Sequence, residues 1–255
     1  MSIVNYQDLK RKVIGSKVLK PLSGTLSGHA AGEPFDKHVY VELKKEFPQQ
    51  TFRQYEYLND LYSKNPKVIS FEERLNLFNY PTVMFLLSRG KEATSKWDLD
   101  TIFEEKQNDT ADILVVNKGF YEIIDIKTRN ISKKSQPPNI ISAYKLAQTC
   151  AKMLDNQEYD SFSICYFGID WKLEDNFLTC VDAHSANLFK SNPQDLYINW
   201  AAAMQIQFQV ENLEQSFEGN QEKWAKEYIK HFITQAKRRA ENMIEKFIKP
   251  FEKYV

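Results

Sequence analysis

The middle of the chain carries two apolar segments that are joined by a short polar turn. Residues 112–116 read Asp-Ile-Leu-Val-Val, residues 117–119 read Asn-Lys-Gly, and residues 120–127 read Phe-Tyr-Glu-Ile-Ile-Asp-Ile-Lys. This pattern predicts a β-hairpin. Successive side chains of a strand point to opposite faces of the sheet, so the second strand presents two sets of side chains. One face holds Tyr121, Ile123, Asp125 and Lys127, and the other holds Glu122, Ile124 and Ile126.

The predicted hairpin brings Asp112, Asp125 and Lys127 close together at the end away from its turn. Charged groups are costly to bury unless they are paired or bind a metal. Magnesium prefers oxygen ligands, often one or two carboxylates with waters and a substrate phosphate. Asp112 and Asp125 would supply the carboxylates, and Lys127 would hold the attacking water or stabilise charge on a phosphate. The pattern indicates a metal-assisted phosphodiester hydrolase; the alternative is a plain Asp125–Lys127 salt bridge on a half-buried strand.

Apolar periodicity elsewhere predicts helices and strands in alternation, which is typical of an α/β chain. Residues 1–20 predict a short amphipathic helix and a linker. A helix is predicted to open at Glu33-Pro34, with Phe35, Val39 and Leu43 on its buried face. Residues 51–61 are compatible with either a strand or a helix, and residues 161–169 and 177–183 predict two further strands. We expect one domain over residues 1–255.

Two more helices are predicted after the hairpin. Pro137-Pro138 stiffens a polar loop, and Asn139 is the predicted N-cap of the first helix. Its apolar stripe comprises Ile140, Tyr144, Ala147, Ala151 and Leu154. The second helix spans residues 221–247 and ends before Pro250. Its apolar side comprises Trp224, Tyr228, Phe232, Ala236, Ala240, Met243 and Phe247.

Composition narrows the class of protein. Hydrophobic residues make up 42% of the 255, enough for a sizeable core, and no apolar run is long enough for a membrane span. The start lacks a secretion signal, and the three cysteines lack metal-ligand spacing, so we expect a reducing, cytoplasmic setting. Net charge is zero, but residues 127–152 contain six basic and no acidic residues. Such a block suits a polyanionic partner, or else a solvated surface.

A loop before the first long helix is rich in glycine. Residues 23–32 read Ser-Gly-Thr-Leu-Ser-Gly-His-Ala-Ala-Gly and hold three of the chain's eight glycines. Glycine allows the backbone to approach a ligand closely. The loop lacks the Gly-Lys-Ser/Thr of a phosphate-binding P-loop. It is either a ligand-binding loop or a tight surface turn.

The chain resembles the HincII/HindII family of type II restriction endonucleases, which belongs to the PD-(D/E)xK nuclease superfamily. The similar blocks are residues 23–35, 54–61, 85–91, 103–114, 138–153 and 196–208. The resemblance implies a mixed β-sheet core flanked by helices, with Asp112, Asp125 and Lys127 as the catalytic motif. Ala111 precedes the first Asp where the motif has Pro. The resemblance also implies a homodimer that cleaves double-stranded DNA within GTYRAC with magnesium, leaving blunt ends with 5′-phosphates and 3′-hydroxyls.

The same resemblance implies which residues contact DNA. Gln136 corresponds to a glutamine that wedges between base pairs, a contribution to specificity through DNA shape. Asn139 and Asn199 correspond to asparagines that contact bases. The remaining expected contacts are His29 and Ala30 near the minor groove, Lys91 at a phosphate, Gln107 and Arg129. One departure is Pro137, where the family's pattern has Ala; Pro137 has a fixed φ and no amide donor.

Three other functions compete with this interpretation. A repair or recombination nuclease with the same core would cut by DNA structure and give no discrete fragments. A non-catalytic DNA-binding regulator would bind specific DNA without magnesium-dependent cleavage. A structural or interaction protein would require the basic block and the glycine loop to be accidental. Asp112, Asp125 and Lys127 together favour an enzyme. A companion DNA methyltransferase is expected in a bacterial host whose genome contains the site.

Overall fold

The computed structural model of the chain describes residues 2–21, 29–62, 67, 69–87 and 110–255. Two of the expected DNA contacts, Lys91 and Gln107, lie outside these residues. Among the described residues, no helix has both the length and the apolar character that crossing a membrane requires.

A mixed six-stranded sheet forms the centre of the fold, in the order β1-β7-β6-β4-β3-β2. Strand β4 is parallel to β6, and the other neighbouring strands are antiparallel. Its strands are β1 (Lys17–Leu19), β2 (Thr51–Phe52), β3 (Ile113–Asn117), β4 (Phe120–Asn130), β6 (Phe162–Glu174) and β7 (Phe177–Asn187). A second sheet of three short strands has the order β5-β9-β8. These are β5 (Asn139–Ser142), β8 (Ile198–Asn199) and β9 (Gln205–Gln207).

Helices cover both faces of the large sheet. The α-helices of the described residues are α1 (Tyr6–Val13), α2 (His29–Glu46), α3 (Gln54–Tyr62), α4 (Phe71–Leu77), α5 (Pro81–Leu87), α6 (Ala143–Asn156), α7 (Gln221–Met243) and α8 (Lys249–Glu252), of which α8 is exposed along its length. A π-helical segment, Ile244–Ile248, joins α7 to α8. The predicted mixed sheet with flanking helices is confirmed.

The predicted hairpin is confirmed as β3 and β4. Its two turn residues, Lys118 and Gly119, both have positive φ, 49° and 79°, as the twist of a two-residue hairpin requires. A Cβ on Gly119 would lie 2.8 Å from the hydroxyl oxygen of Tyr80, so glycine is needed there for space as well as conformation.

The predicted alternation of faces along β4 is also confirmed. Tyr121 and Ile123 belong to a core that β4 shares with α3, α5, α6 and α7. Ile124 and Ile126 belong to the opposite core, under α1 and α2. Burial of apolar surface on both faces fixes the register of β4, because a shift by one residue would exchange the two sets of side chains.

Several predicted boundaries differ from the structure. Helix α2 begins at His29, so Pro34 lies inside it rather than at its start. Residues 51–61 contain both alternatives, since β2 is followed at once by α3. Residues 1–20 contain the predicted helix α1, but the linker forms β1, which pairs with β7.

Asn139 is not a helix N-cap. It begins β5, and the side chain of Ser142 caps α6 by accepting a hydrogen bond from the amide of Lys145. The buried side of α6 is therefore rotated from the predicted stripe and comprises Ala143, Leu146, Thr149, Cys150 and Met153. Tyr144, predicted to be buried, is 52% exposed.

The long C-terminal helix is confirmed, but its predicted apolar side is buried only in the first half. Trp224 and Tyr228 are fully buried, whereas Met243 and Phe247 are 41% and 62% exposed. Pro250 lies at the start of α8 instead of ending the helical region. Amphipathic spacing predicts which side chains share a face, but not how far the protein body extends along that face.

The N-terminus is anchored to the sheet by a buried carboxylate on β4. Glu122 accepts hydrogen bonds from the hydroxyls of Ser2 (2.6 Å) and Tyr6 (2.8 Å). It also accepts from the backbone amides of Ile3 (2.6 Å) and Val4 (3.0 Å). Four donors therefore compensate the burial of this charge, which sequence patterning left unexplained.

Replacing Glu122 with alanine is expected to lower the free energy of unfolding by about 3–4 kcal/mol, because four donors, most of them at least partly buried, lose their acceptor. Urea unfolding measures the change. The matched control is Glu227→Ala on α7, whose carboxylate makes an ion pair with Lys223 at the protein surface and should change stability much less. Equal effects of the two substitutions would contradict the anchoring role.

Candidate active site

Asp112, Asp125 and Lys127 meet at the open end of the β3–β4 hairpin. The amide of Asp112 donates to the carbonyl of Ile124 at 3.0 Å, which places Asp112 opposite Asp125. The Asp112 carboxylate accepts a hydrogen bond from the amide of Ile126 at 2.6 Å. The Lys127 ammonium lies 2.8 Å from the Asp125 carboxylate. The hairpin thus collects two carboxylates and one ammonium at one strand end.

This cluster is mostly shielded from water. Asp125 is only 8% exposed. Its burial raises its pKa to about 8, with the neighbouring Asp112 adding to the rise and Lys127 opposing it. For Lys127, burial by itself would lower the pKa, but the two carboxylates outweigh it and the pKa is raised. Burial and the neighbouring Asp112 therefore disfavour the ionised form of Asp125, and a cation bound between the two carboxylates would favour it.

Two side chains from the β2–α3 region hold the backbone of Asp112 in place. The Arg53 guanidinium donates to the Asp112 carbonyl at 3.1 Å and stacks on the ring of Tyr40. The buried Gln54 side chain accepts hydrogen bonds from the amides of Thr110 (2.9 Å) and Ala111 (2.7 Å). Neither role is predictable from the local sequence, since these contacts join segments more than 50 positions apart.

The start of α2 lies against the strand end that carries the site. A Cβ on Gly32 would lie 3.1 Å from the Thr128 hydroxyl oxygen, so the helix backbone closely approaches the residue after Lys127. His29 and Ala30 form the first two positions of this helix. They precede Gly32 by three and two positions in the same helix.

Arg129, expected to contact DNA, is held by acidic side chains. Its Nε donates to the Asp170 carboxylate at 2.9 Å, and its guanidinium also pairs with Glu211. The hydrogen bonds to Asp170 are the leading cause of its raised pKa. In the DNA-free chain Arg129 therefore joins β4 to its neighbours, and contact with a phosphate would require it to give up these pairs.

The second sheet brings together two residues expected to contact bases. The Asn199 side-chain amide donates to Gln207 at 2.9 Å, and the Gln207 amide donates to Asn139 at 2.8 Å. The partner of Asn199 is thus on β9, eight residues later in the chain. Gln136 is exposed in the loop before β5.

The fold and site together define a class. A mixed sheet flanked by helices, with Asp-x-Lys on a central hairpin, is consistent with the restriction-endonuclease fold. The family model described as restriction endonuclease HincII matches residues 9–255. Type II restriction enzyme HindII of Haemophilus influenzae is 62% identical over 250 residues, which is 98% of this chain and 97% of that protein. Type II restriction enzyme HincII of Haemophilus influenzae shows the same identity and coverage.

The chain therefore belongs to the HincII restriction endonuclease family. It is a type II site-specific deoxyribonuclease, and DNA is its substrate. Enzymes of this kind need a divalent metal ion, and the donor set at the hairpin end fits one. Asp112 and Asp125 provide carboxylate oxygens, the ligand type that hard divalent cations prefer.

Proposed function

We propose that the protein is a magnesium-dependent homodimer that cleaves double-stranded DNA within GTYRAC and leaves blunt ends with 5′-phosphates. The observation that carries the chemistry is the juxtaposition of the Asp112 and Asp125 carboxylates with the Lys127 ammonium at the open end of the hairpin. The cleavage site itself is proposed from the family, whose close relatives share 62% of their residues with this chain.

In the proposed mechanism Asp112 and Asp125 would hold the metal, with the carbonyl of Ile126 as a further ligand. Magnesium bound there would neutralise charge on the scissile phosphate as it develops. Lys127 orients the attacking water, or helps to deprotonate it because the positive ammonium lowers the pKa of that water and favours release of its proton to solvent. The water oxygen forms the new bond to phosphorus in line with the 3′-oxygen, which leaves as a hydroxyl after taking up a proton. The products are a 5′-phosphate and a 3′-hydroxyl.

Sequence reading is assigned to Asn139 and Asn199, whose amides suit base edges in a groove. Gln136 is proposed to wedge between base pairs. His29, Ala30, Lys91, Gln107 and Arg129 are proposed to contact the backbone or the minor groove. The exposed position of Gln136 and the connection of Asn139 with Asn199 through Gln207 support this assignment.

Digestion of a fully sequenced, unmethylated plasmid tests the proposal, with magnesium in one sample and chelator in the other. Sequencing of the fragment ends should give discrete blunt ends inside GTYRAC, only with magnesium. Discrete ends at another motif would keep the enzyme class and reject GTYRAC, and would point to the Pro137 loop. Fragments without discrete ends would indicate a nuclease that reads DNA structure. Binding without cleavage would indicate a DNA-binding regulator.

Homodimer formation would place one active site on each DNA strand. Apolar side chains on the C-terminal segment support it: Ile244, Phe247 and Phe251 are 44%, 62% and 59% exposed. Exposed apolar side chains grouped on one segment mark interaction surfaces. We propose that this segment contributes to the contact with a second copy of the chain.

Replacing Phe247 and Phe251 together with glutamate is expected to weaken the dimer by at least about tenfold, since two large apolar side chains become charged. Sedimentation equilibrium measures the dissociation constant. Lys246→Glu changes charge on the same segment without removing apolar surface and serves as the control. A dimer as stable as the unmodified protein's would place the interface elsewhere.

A bacterial cytoplasmic location and a companion DNA methyltransferase in the same host belong to the proposal. The three cysteines are all buried and free of disulfide bonds, which suits a reducing compartment. Methylation of the host's own GTYRAC sites would protect them from cleavage.

A further inference from the structure

A directional chain of side-chain amides runs through the second sheet. The Asn199 Oδ1 accepts hydrogen bonds from the backbone amides of Ala201 (3.0 Å) and Ala202 (3.2 Å). A backbone N–H can only donate, so this end of the Asn199 side chain must be its oxygen. Its Nδ2 group consequently faces Gln207 and donates to the Gln207 Oε1 at 2.9 Å.

The donor–acceptor direction at Asn199 also determines, through Gln207, how the Asn139 side chain is oriented. With its Oε1 used as an acceptor, Gln207 presents its Nε2 group to Asn139 and donates to the Asn139 Oδ1 at 2.8 Å. Asn139 lies beside Gln207 in the β5–β9 register and is exposed. Within the described residues, the Asn139 Nδ2 group has no acceptor. Asn139 therefore presents donors outward, and its oxygen is occupied.

The orientation of an amide decides which base edge it recognises. An outward NH₂ group pairs with acceptors such as N7 of a purine or O6 of guanine, whereas an outward oxygen pairs with the amino group of cytosine or adenine. Since Gln207 fixes the orientation of Asn139, it determines what Asn139 can recognise without itself contacting a base.

We propose that Gln207 is a positioning residue for sequence specificity, which sets the donor–acceptor direction of Asn139 and links it to Asn199. This inference rests on the proposed function, in which these asparagines read bases. Gln207 acts by preventing the alternative orientation of the Asn139 amide. Specificity at the base pair that Asn139 contacts therefore depends on a residue of β9.

Gln207→Glu is the sharpest test because it replaces the donor end with a second acceptor. The introduced carboxylate still accepts from Asn199, but Asn139 must rotate to donate its Nδ2 group, which turns its oxygen outward. Cleavage of the preferred wild-type site should fall about 5- to 150-fold, which corresponds to the roughly 1–3 kcal/mol that one mismatched base contact costs. DNA sites that present a hydrogen-bond donor at the base contacted by Asn139 should be cleaved faster relative to the other sites.

Two further variants distinguish a reversed orientation of the Asn139 amide from the effect of an added charge and from the loss of the hydrogen bonds. Gln205→Glu adds the same charge to the same strand outside the amide chain and should slow all sites alike, without changing their order. Gln207→Leu removes both hydrogen bonds and should flatten the preference at that base without creating a new one. Relative cleavage rates on a library randomised across the recognition site, with magnesium, give the readout for all three.

A measurement on the DNA-free protein distinguishes a reoriented Asn139 side chain from a general loss of folding. Side-chain amide exchange of Asn139, followed by NMR, should slow in Gln207→Glu, where Nδ2 becomes hydrogen-bonded, and stay fast in the wild type. Wild-type protein without sequence-specific cleavage would reject the proposed function. If the wild type discriminates among sites, and Gln207→Glu cleaves them in the same order of rates with unchanged Asn139 amide exchange, only the role of Gln207 would be rejected.

Discussion

Replacing Asp125 with asparagine is expected to reduce the rate of DNA cleavage by about a thousandfold, which corresponds to about 4 kcal/mol of lost transition-state stabilisation. The neutral side chain keeps nearly the same shape but offers the metal no negative charge. Asp125 lies beside Asp112 and 2.8 Å from the Lys127 ammonium, so both proposed metal ligation and the placement of Lys127 depend on its charge. Single-turnover cleavage of a duplex containing GTYRAC measures the effect.

Specific DNA binding by the Asp125→Asn protein should remain measurable by fluorescence anisotropy, because the expected base contacts lie on the second sheet. Asp175→Asn is the matched control; this residue lies in the β6–β7 turn with φ 55°, a conformation that asparagine tolerates well. It should cleave at the wild-type rate. A wild-type rate in Asp125→Asn itself would remove Asp125 from the catalytic site.

Replacing Lys127 with alanine is expected to slow cleavage by about 100- to 1000-fold, the usual cost of deleting one donor that stabilises developing charge. Its ammonium is held at the site by Asp125 and is largely shielded from water. Lys127→Arg keeps the charge in a planar, bulkier group and should restore the rate only in part. Single-turnover rates at saturating enzyme separate this effect from weaker DNA binding.

Lys172→Ala is the control for this second prediction, since Lys172 forms an exposed ion pair with Glu174 on β6. Metal titration calorimetry adds a readout that structural damage would not produce: removal of Lys127 deletes a competing cation, so divalent metal affinity should not fall. Unchanged cleavage in Lys127→Ala would leave Lys127 with only the role of a salt-bridge partner for Asp125.

The active-site hairpin was predictable because its determinants are local. Alternating side chains and a turn containing glycine fix which residues of β4 share a face, and apolar residues on both faces fix the register. The same local pattern predicts Asp112 beside Asp125, and the structure confirms this neighbourhood. Family resemblance added the expected reaction and the expected DNA contacts, which spacing alone does not give.

Asn139 shows where local reasoning fails. A polar residue after two prolines and before a helical pattern is typical of an N-cap, yet Asn139 pairs with Gln207, 68 positions later. The competing hydrogen bonds come from a distant strand, so no window around Asn139 contains them. Arg129 is a similar case, since its partners Asp170 and Glu211 are 41 and 82 positions away.

Short-range periodicity and long similar blocks were enough to predict the hairpin, the cluster of Asp112, Asp125 and Lys127 at its open end, and the family. The packing of distant segments was needed to show which polar groups meet: Gln54 with Ala111, Glu122 with the N-terminus, and Gln207 with both asparagines. Local periodicity sets which face a side chain occupies. The partner it meets there depends on how separate elements pack, and hydrogen bonds form only once that packing brings donor and acceptor within about 3 Å.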